Sequence, residues 1–527
     1  MVPLESGALP NILVIHTDQL RADCLGCTGN RDVRTPYIDG LAAQGVVFEN
    51  CFCSSPACAP SRYSLLSGRY VHKHGWWSNR CTLPPGTPTF ASVLRDAGYH
   101  TAAVGKMHFT PTYLDAGFDR MVLCEQEGPG RWDDDYHRGL RNSGLVDLAD
   151  LRDQRREFRK RATAEYWETF GAIVSNLPEE HHSTTWITDR AVEVVEGWDP
   201  RGSNLLMVGY VKPHHPFDPP SPWHRMYDPH SLSVLAGWLD VCLERDTRGG
   251  PGYFSSRRLT IPALRQVMAY YYAMISQIDQ GIGRVFEALR LKGMEDDTLI
   301  VFTSDHGDYM GFHHLLLKGG LSYDPLMRVP LVMRFPHSRR VRREPGLVSN
   351  IDVAPTILRA VGIEPPETMT GLNLRRTGVG RDIVFAAHGL TGQTMARTRD
   401  FKCIRFPMGP TLLLNLRDDP MEVANAAEGQ PAEAEEMVCA IREWRDDDAR
   451  MHAYVDECAP TIVGPNVPPA DRSHRREMVR YFGAREEEAQ LGPPVPGFRP
   501  PSPPFFRRRP DAHVGGSPCP SREPSFP

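Results

Sequence analysis

A chain of 527 residues with 41% hydrophobic and 24% charged residues is composed like an ordinary globular protein, with room for one large α/β domain and a smaller appendage. Its net charge of −5 supplies no basic surface for nucleic acid or an anionic membrane, and neither is expected as a partner. The apolar runs are about a strand long, short of the ~20 residues a membrane span needs, and twelve cysteines are too sparse for a disulfide scaffold.

The opening stretch MVPLESGALPNILVIHTDQL has no basic segment or apolar stretch ahead of its first strand-like run, so no secretory signal is expected and the expected compartment is the cytoplasm. Ile12–Ile15 reads as a buried strand ending at Thr17-Asp18. Cys24 with Cys27, and Cys51 with Cys53, are closely spaced, but no second pair follows at zinc-site spacing, so they read as thiols in a reducing compartment. Thr35-Pro36 opens a helix that Gly45 closes, and Val46–Phe48 is a further strand. Thr87-Pro88 opens the next helix, Gly98 closes it, and Thr101–Val104 follows as a strand. Leu205–Val211 and Leu299–Thr303 are β-type runs, the second fed by helical periodicity from Pro262 to Lys292.

Asp18, Lys106, His214 and Asp305 each stand just past the C-terminal end of one of these runs. In open α/β sheets that edge is where ligands bind. After about residue 375 the pattern changes to short β-type runs: Ile383–Ala387, Thr394–Arg397, Phe401–Arg405 and Thr411–Leu416, then a helix over Glu433–Trp444. The expected organisation is a catalytic α/β domain over 10–375, a small α+β subdomain over 376–455, and a Pro/Arg-rich tail over 460–527. That tail has too little apolar surface to offset its ordering entropy and is expected to be disordered.

Cys58-Ala59-Pro60-Ser61-Arg62 places a cysteine just before a proline able to start a helix, with an arginine one turn on. Free N–H groups and the helix dipole favour negative charge there, which suits an anionic nucleophile or an oxyanion. Position alone does not separate this from a buried cysteine ahead of an ordinary helix.

The run from Cys58 through Ser67-Gly68-Arg69 resembles the sulfatase signature, C-x-P-S-R followed by a short spacer and S/T-G-R. The resemblance extends from about Asn11 to about Asn425 and is closest to uncharacterised bacterial members. It implies an alkaline-phosphatase-like three-layer sandwich with a mostly parallel central sheet, plus a small C-terminal antiparallel sheet carrying a helix. It also implies that Cys58 is oxidised to formylglycine by a formylglycine-generating enzyme before folding is complete.

Further roles follow from the resemblance, position by position. Asp18 and Gln19 fall on the first metal motif, Gln19 departing from the second Asp of many members; its amide oxygen can still ligate a hard cation without adding charge. Asp305 and His306, in Thr-Ser-Asp-His-Gly-Asp, fall on the second, and Cys58 joins the metal set. An oxygen-rich site suits Ca²⁺, Mg²⁺ or Mn²⁺, and the resemblance favours Ca²⁺. In Gly-Lys-Met-His, Lys106 would hold a sulfate oxygen and His108 would take the proton that drives sulfate release. In Lys-Pro-His-His-Pro-Phe, His214 rather than His215 would protonate the leaving oxygen, and Lys318 would be a second substrate lysine. Arg62 would polarise the nucleophile, while Asn79 and Arg80 are further pocket candidates.

The implied function is hydrolysis of a small carbohydrate, aryl or alkyl sulfate. Two alternatives are a phosphonate monoester or phosphodiester hydrolase on the same scaffold, and a non-catalytic binding protein that kept the fold. Lys106 and His108 together favour sulfate, because the phosphonate-type relatives tend to replace both. The connections Cys124–Asp189 and Pro219–Thr260 are expected to shape the pocket, and Trp132-Asp133-Asp134-Asp135-Tyr136 could meet a sugar ring or form a polar surface.

Overall fold

The computed structural model describes residues 9–79, 81–84, 86–110, 112–126, 134–154, 159, 162–248, 254–389, 391–407 and 409–445. Arg80, Trp132, Asp133 and the expected disordered tail lie outside these residues.

A nine-stranded sheet forms the centre. Its strands in chain order are β1 (Asn11–Thr17), β2 (Val46–Phe52), β3 (His100–Gly105), β4 (Arg120–Leu123), β5 (Asn204–Gly209), β6 (Thr298–Ser304), β7 (Arg328–Val329), β8 (Leu331–Arg334) and β9 (Arg342–Ser349). The spatial order is β4-β3-β5-β1-β6-β8-β2-β7, with β9 pairing β2. From β4 to β6 every pairing is parallel. β8 runs antiparallel to both β6 and β2.

Successive residues of a strand face opposite sides. Leu13 and Ile15 of β1 enter one core with Ile187, Ala191, Met274 and Ile278, carried on helices Ser183–Glu196 and Ile261–Leu291. Ile12 and Val14 enter the other, with Tyr63, Leu66, Leu94 and Ile357 from helices Cys58–Ser67, Phe90–Asp96 and Val353–Ala360. Helices thus cover both faces, and the fold is the alkaline-phosphatase-like three-layer sandwich. The Ile261–Leu291 helix has clear start and stop signals: Thr260 accepts from Ala263 N, Pro262 stands in the first turn, and Gly293 follows its end at φ +68°.

The strand expected over Val46–Phe48 runs on to Phe52, and one helix starts later than expected. The helix expected from Thr87-Pro88 begins at Phe90, because Thr89 and Ser92 cap each other: Ser92 N donates to Thr89 Oγ1 at 2.9 Å, and Thr89 N to Ser92 Oγ at 3.0 Å.

The small sheet is an antiparallel meander of β10 (Val384–His388), β11 (Gln393–Arg397), β12 (Phe401–Arg405) and β13 (Leu412–Asn415). Ala396, Cys403 and Leu413 pack on Met437 and Ile441 of helix Pro431–Arg445. This unit is tied to the main sheet through buried charge. Lys402, fully buried, pairs with Glu422 and lies 2.5 Å from Asp324 Oδ1, while Arg397 Nη2 lies 3.1 Å from Asp324 Oδ2. Among the described residues, no helix is long and apolar enough to cross a membrane.

Candidate active site

The parallel strands end at one edge of the sheet, and the loops that follow them carry the reactive side chains there. β1 ends in Asp18 and Gln19, β3 in Lys106 to His108, β5 leads to His214, and β6 ends in Asp305 and His306. Cys58 occupies the first turn of its helix, and Arg62 lies one turn further along. Asp18, Cys58, Lys106, Asp305 and His306 have 0% exposure, and Arg62 has 1%.

Asp18, Cys58, Asp305 and His306 offer ligand atoms that all lie within 4.8 Å of one another. Oxygen ligands sit about 2.3–2.6 Å from Ca²⁺, so two donors on one ion are at most about 5 Å apart, and this group fits. His306 Nδ1 is 2.8 Å from Gly307 O, and a carbonyl only accepts. The proton therefore sits on Nδ1, and the Nε2 lone pair faces Cys58 Sγ at 3.3 Å. Gln19 N donates to Asp305 Oδ1 at 3.0 Å and Gln19 Nε2 to Asp308 Oδ2 at 2.6 Å, leaving Gln19 Oε1 buried without a hydrogen-bond partner. A buried acceptor with no donor suits a site for a hard cation.

Three cations converge on this group. Arg62 Nε donates to Asp305 Oδ2 at 3.0 Å, Arg62 Nη2 to Asp18 Oδ2 at 3.1 Å, and Arg62 Nη1 to Lys106 O at 2.5 Å. Lys106 Nζ lies 2.8 Å from Asp18 Oδ2. Lys318 Nζ is 2.8 Å from Cys58 Sγ, 3.2 Å from His214 Nε2 and 3.3 Å from His306 Nε2. Burial opposes ionisation of Asp18, but Lys106, His214, Arg62 and Lys318 outweigh it and hold the carboxyl well below its usual range. Burial likewise opposes charge on Lys106, and Asp18 raises its pKa above the ordinary lysine value. Arg62, Lys106 and Lys318 against Asp18 and Asp305 leave an excess of positive charge, which a bound divalent cation would enlarge. The site is built to receive an anion.

His108 is held by a backbone device. Its φ is +61°, and Glu125 accepts from His108 N at 2.9 Å and from Met107 N at 3.0 Å. Both ring nitrogens of His108 are buried without hydrogen-bond partners, and burial, with Lys106 and Arg62, keeps its pKa well below the usual histidine value. His108 is therefore neutral and able to accept a proton. His214 Nε2 faces Lys318, whereas His215 Nδ1 turns to Asp153 at 2.5 Å. Asn79 Oδ1 accepts from Ala59 N at 3.1 Å, beside Cys58.

Several residues at the site went unassigned in the sequence. Glu125 and Gln126 follow β4, a strand of only four residues that is too short for periodicity to mark; Gln126 Oε1 accepts from Lys106 Nζ at 3.1 Å. The signal that could have found them is the strand-end rule that located Asp18 and Asp305. Asp308 ends the Ser-Asp-His-Gly-Asp run, accepts from Gln19, and buttresses the Lys318 loop through Met310 N and Leu317 N. Of the acidic-aromatic run, Asp134 caps helix Asp135–Asn142 and bonds His137, Asp135 accepts from Leu123 N, and Tyr136 is in the core. These three hold the insertion together instead of facing a ligand.

The sulfatase family model matches residues 10–363. The chain is 29% identical to an arylsulfatase of Clostridium perfringens over 85% of this chain and 96% of that protein. It is 26% identical to an N-acetylglucosamine-6-O-sulfatase of Bacteroides thetaiotaomicron over 80% of this chain and 83% of that one. The crystal structure of a phosphonate monoester hydrolase of Agrobacterium radiobacter superposes with a TM-score of 0.67 at 25% identity, covering 83% of this chain and 96% of that one.

Proposed function

The chain belongs to the sulfatase family and is a sulfuric ester hydrolase; on that premise we propose that it cleaves a small sulfate monoester to an alcohol and sulfate, with formylglycine made from Cys58 as nucleophile. The reading rests on one observation: residue 58 sits at the focus of Asp18, His306 and Lys318, and Lys318 Nζ in turn faces His214 Nε2. Its maturation requires a formylglycine-generating enzyme as transient partner.

Asp18, Asp305 and His306 would hold a divalent cation, with Gln19 Oε1 as a further donor; the oxygen donors suit Ca²⁺, Mg²⁺ or Mn²⁺, and the family resemblance favours Ca²⁺. When bound, that cation supplies positive charge against the sulfate and the oxygen of residue 58. Lys106 and Lys318 neutralise the sulfate oxygens, so the anionic ester no longer repels a nucleophile. Arg62 holds the carboxylates in register with residue 58. A hydroxyl of the hydrated aldehyde attacks sulfur, and the bond to the alcohol oxygen breaks. That oxygen takes its electron pair and a proton from His214 Nε2. The ring is neutral with its own hydrogen on Nδ1, so the proton reaches Nε2 from Lys318 Nζ, 3.2 Å away. Lys318 recovers one from the attacking hydroxyl of residue 58 beside it. His108, neutral at the site, removes the proton of the second hydroxyl, the aldehyde reforms and sulfate departs.

A second reading is supported by the phosphonate monoester hydrolase superposition: the same residues would serve a phosphonate ester. Matched aryl sulfate and aryl phosphonate esters separate the two, using protein made in a host that performs the cysteine oxidation. Preferential sulfate cleavage supports the first reading. Preferential phosphonate cleavage would replace it.

A further inference from the structure

Helix Leu148–Gln154, in the long connection between β4 and β5, delivers a buried carboxylate to the histidine pair. Asp153 Oδ2 lies 2.5 Å from His215 Nδ1 and accepts from Gln154 Nε2 at 2.6 Å, while Asp153 Oδ1 accepts from Tyr166 Oη at 2.5 Å. Asp153 has 0% exposure. Burial favours its neutral form, yet His215, Arg159 and Tyr166 draw its pKa down to about 2, so it is charged at neutral pH. An ionised carboxylate only accepts, and the hydrogen between the two groups therefore sits on His215 Nδ1.

His215 in turn governs its neighbour. The His214 and His215 rings stack at 4.1 Å and 29°. His215 O receives His214 Nδ1 at 2.6 Å, Gln126 Nε2 at 2.9 Å and Gln154 Nε2 at 3.1 Å. Because that carbonyl holds the Nδ1 hydrogen of His214, Nε2 is the nitrogen directed to Lys318 and the nucleophile. The ring of His215 supports one face of His214, and its carbonyl sets the rotation.

We infer that Asp153 is a positioning residue for the proton donor His214, acting through the ring and carbonyl of His215. The inference rests on the sulfate-ester reading given above. It assigns part of the β4–β5 insertion to the reaction itself: the segment reaches past the pocket wall to the group that protonates the leaving oxygen. Gln126, bonded to both Lys106 Nζ and His215 O, joins this frame to the side that holds the sulfate.

The test compares kcat and KM for wild type, Asp153→Asn and Tyr166→Phe on aryl sulfates whose phenols span a wide range of acidity. A misplaced acid costs most where the leaving group needs its proton most. Asp153→Asn presents an amide N–H to His215 Nδ1 and disfavours the native tautomer. Its kcat should fall by about 10²-fold for the least acidic phenol and by less than about threefold for the most acidic, with KM unchanged. Tyr166→Phe should show the same slope at smaller amplitude, and it carries the test if Asp153→Asn does not melt cooperatively. A loss equal across all phenols, or one confined to KM, overturns the inference while leaving the sulfatase reading intact. Wild type inactive on the whole series overturns that reading, and this inference with it.

Discussion

Lys318 sets its ammonium 2.8 Å from the Cys58 sulfur, although 260 residues separate the two in sequence. Asp18 Oδ1 lies 3.7 Å from the same sulfur, so residue 58 touches charges of both signs. Burial and Asp18 push the thiol up to about 12, which makes the unoxidised cysteine a weak nucleophile on its own.

Cys58→Ala should leave the melting temperature within about 2 °C of wild type, a shift worth less than about 1 kcal/mol, and abolish hydrolysis. Cys58→Ser keeps a hydroxyl but has no second one to expel sulfate. It should trap a sulfated protein, seen as added mass on the intact chain after exposure to an aryl sulfate. Normal turnover by Cys58→Ser would rule out the aldehyde mechanism.

Asp305→Asn should lose two things together. The metal group loses a charged donor, and Arg62 loses the partner of its Nε. With Arg62 at 1% exposure, a broken buried pair costs about 3–5 kcal/mol. Metal content per chain should fall, and thermal unfolding should lose most of its response to added Ca²⁺. A variant that retains both its metal and its melting temperature would remove Asp305 from the site.

Asp279 gives a pH-dependent stability far from the reaction. Its carboxylate accepts from Tyr37 N and Ile38 N at the start of helix Pro36–Ala42, and burial pushes its pKa up to about 7. The unfolded chain releases this proton near the ordinary value of 3.8, so between about pH 4 and 7 the folded state holds a proton the unfolded state lacks. The stability from this group is complete below that window and is lost as pH rises through about 7. Asp279→Asn cannot titrate, so its stability relative to wild type should improve from pH 5 to pH 8 by on the order of 1–2 kcal/mol. Equal offsets at the two pH values in denaturant titrations would contradict this.

Lys402→Met tests how the small sheet is held. Glu422 has 0% exposure, and burial already pushes its pKa up against the pull of Lys402. Without the lysine it loses its partner and is driven toward the neutral form, while Asp324 loses its link to the small sheet. The expected cost is about 3–5 kcal/mol, read as a lower midpoint in urea unfolding. A loss under about 1 kcal/mol would show that Lys402 does not anchor the subdomain through Asp324.

The strands that carry the site were legible because parallel strands buried on both faces read as apolar runs, and β1, β3, β5 and β6 are each followed by a polar residue that stands out. β4 and β9 were not legible. β4 is Arg-Met-Val-Leu, and β9 holds Arg342, Arg343, Glu344 and Pro345, so neither shows an apolar period. Glu125 and Gln126 were hidden with β4. Asp153 lay in a segment without a motif, and its partner His215 is 62 residues away, a pairing made only by tertiary structure. Within Lys-Pro-His-His-Pro-Phe both histidines were visible, but the division between them depends on ring orientation. The structure turns His214 to Lys318 and His215 to Asp153. Lys212 of the same run pairs with the buried Asp218 and takes no place in the site.

The complete burial of Cys58, with Ser54, Ser55, Ala59 and Pro60 packed around it, also governs timing. Residues 58–62 belong to helix Cys58–Ser67 and are buried, so any enzyme that had to reach residue 58 in the folded chain would have to undo that helix. On the formylglycine reading proposed above, the chemical identity of residue 58 would be decided on the nascent chain. Two preparations of this protein, from hosts with and without the oxidising enzyme, would share sequence, fold and melting behaviour, yet only one would turn over substrate. Each molecule's competence would then be inherited from the cell that translated it.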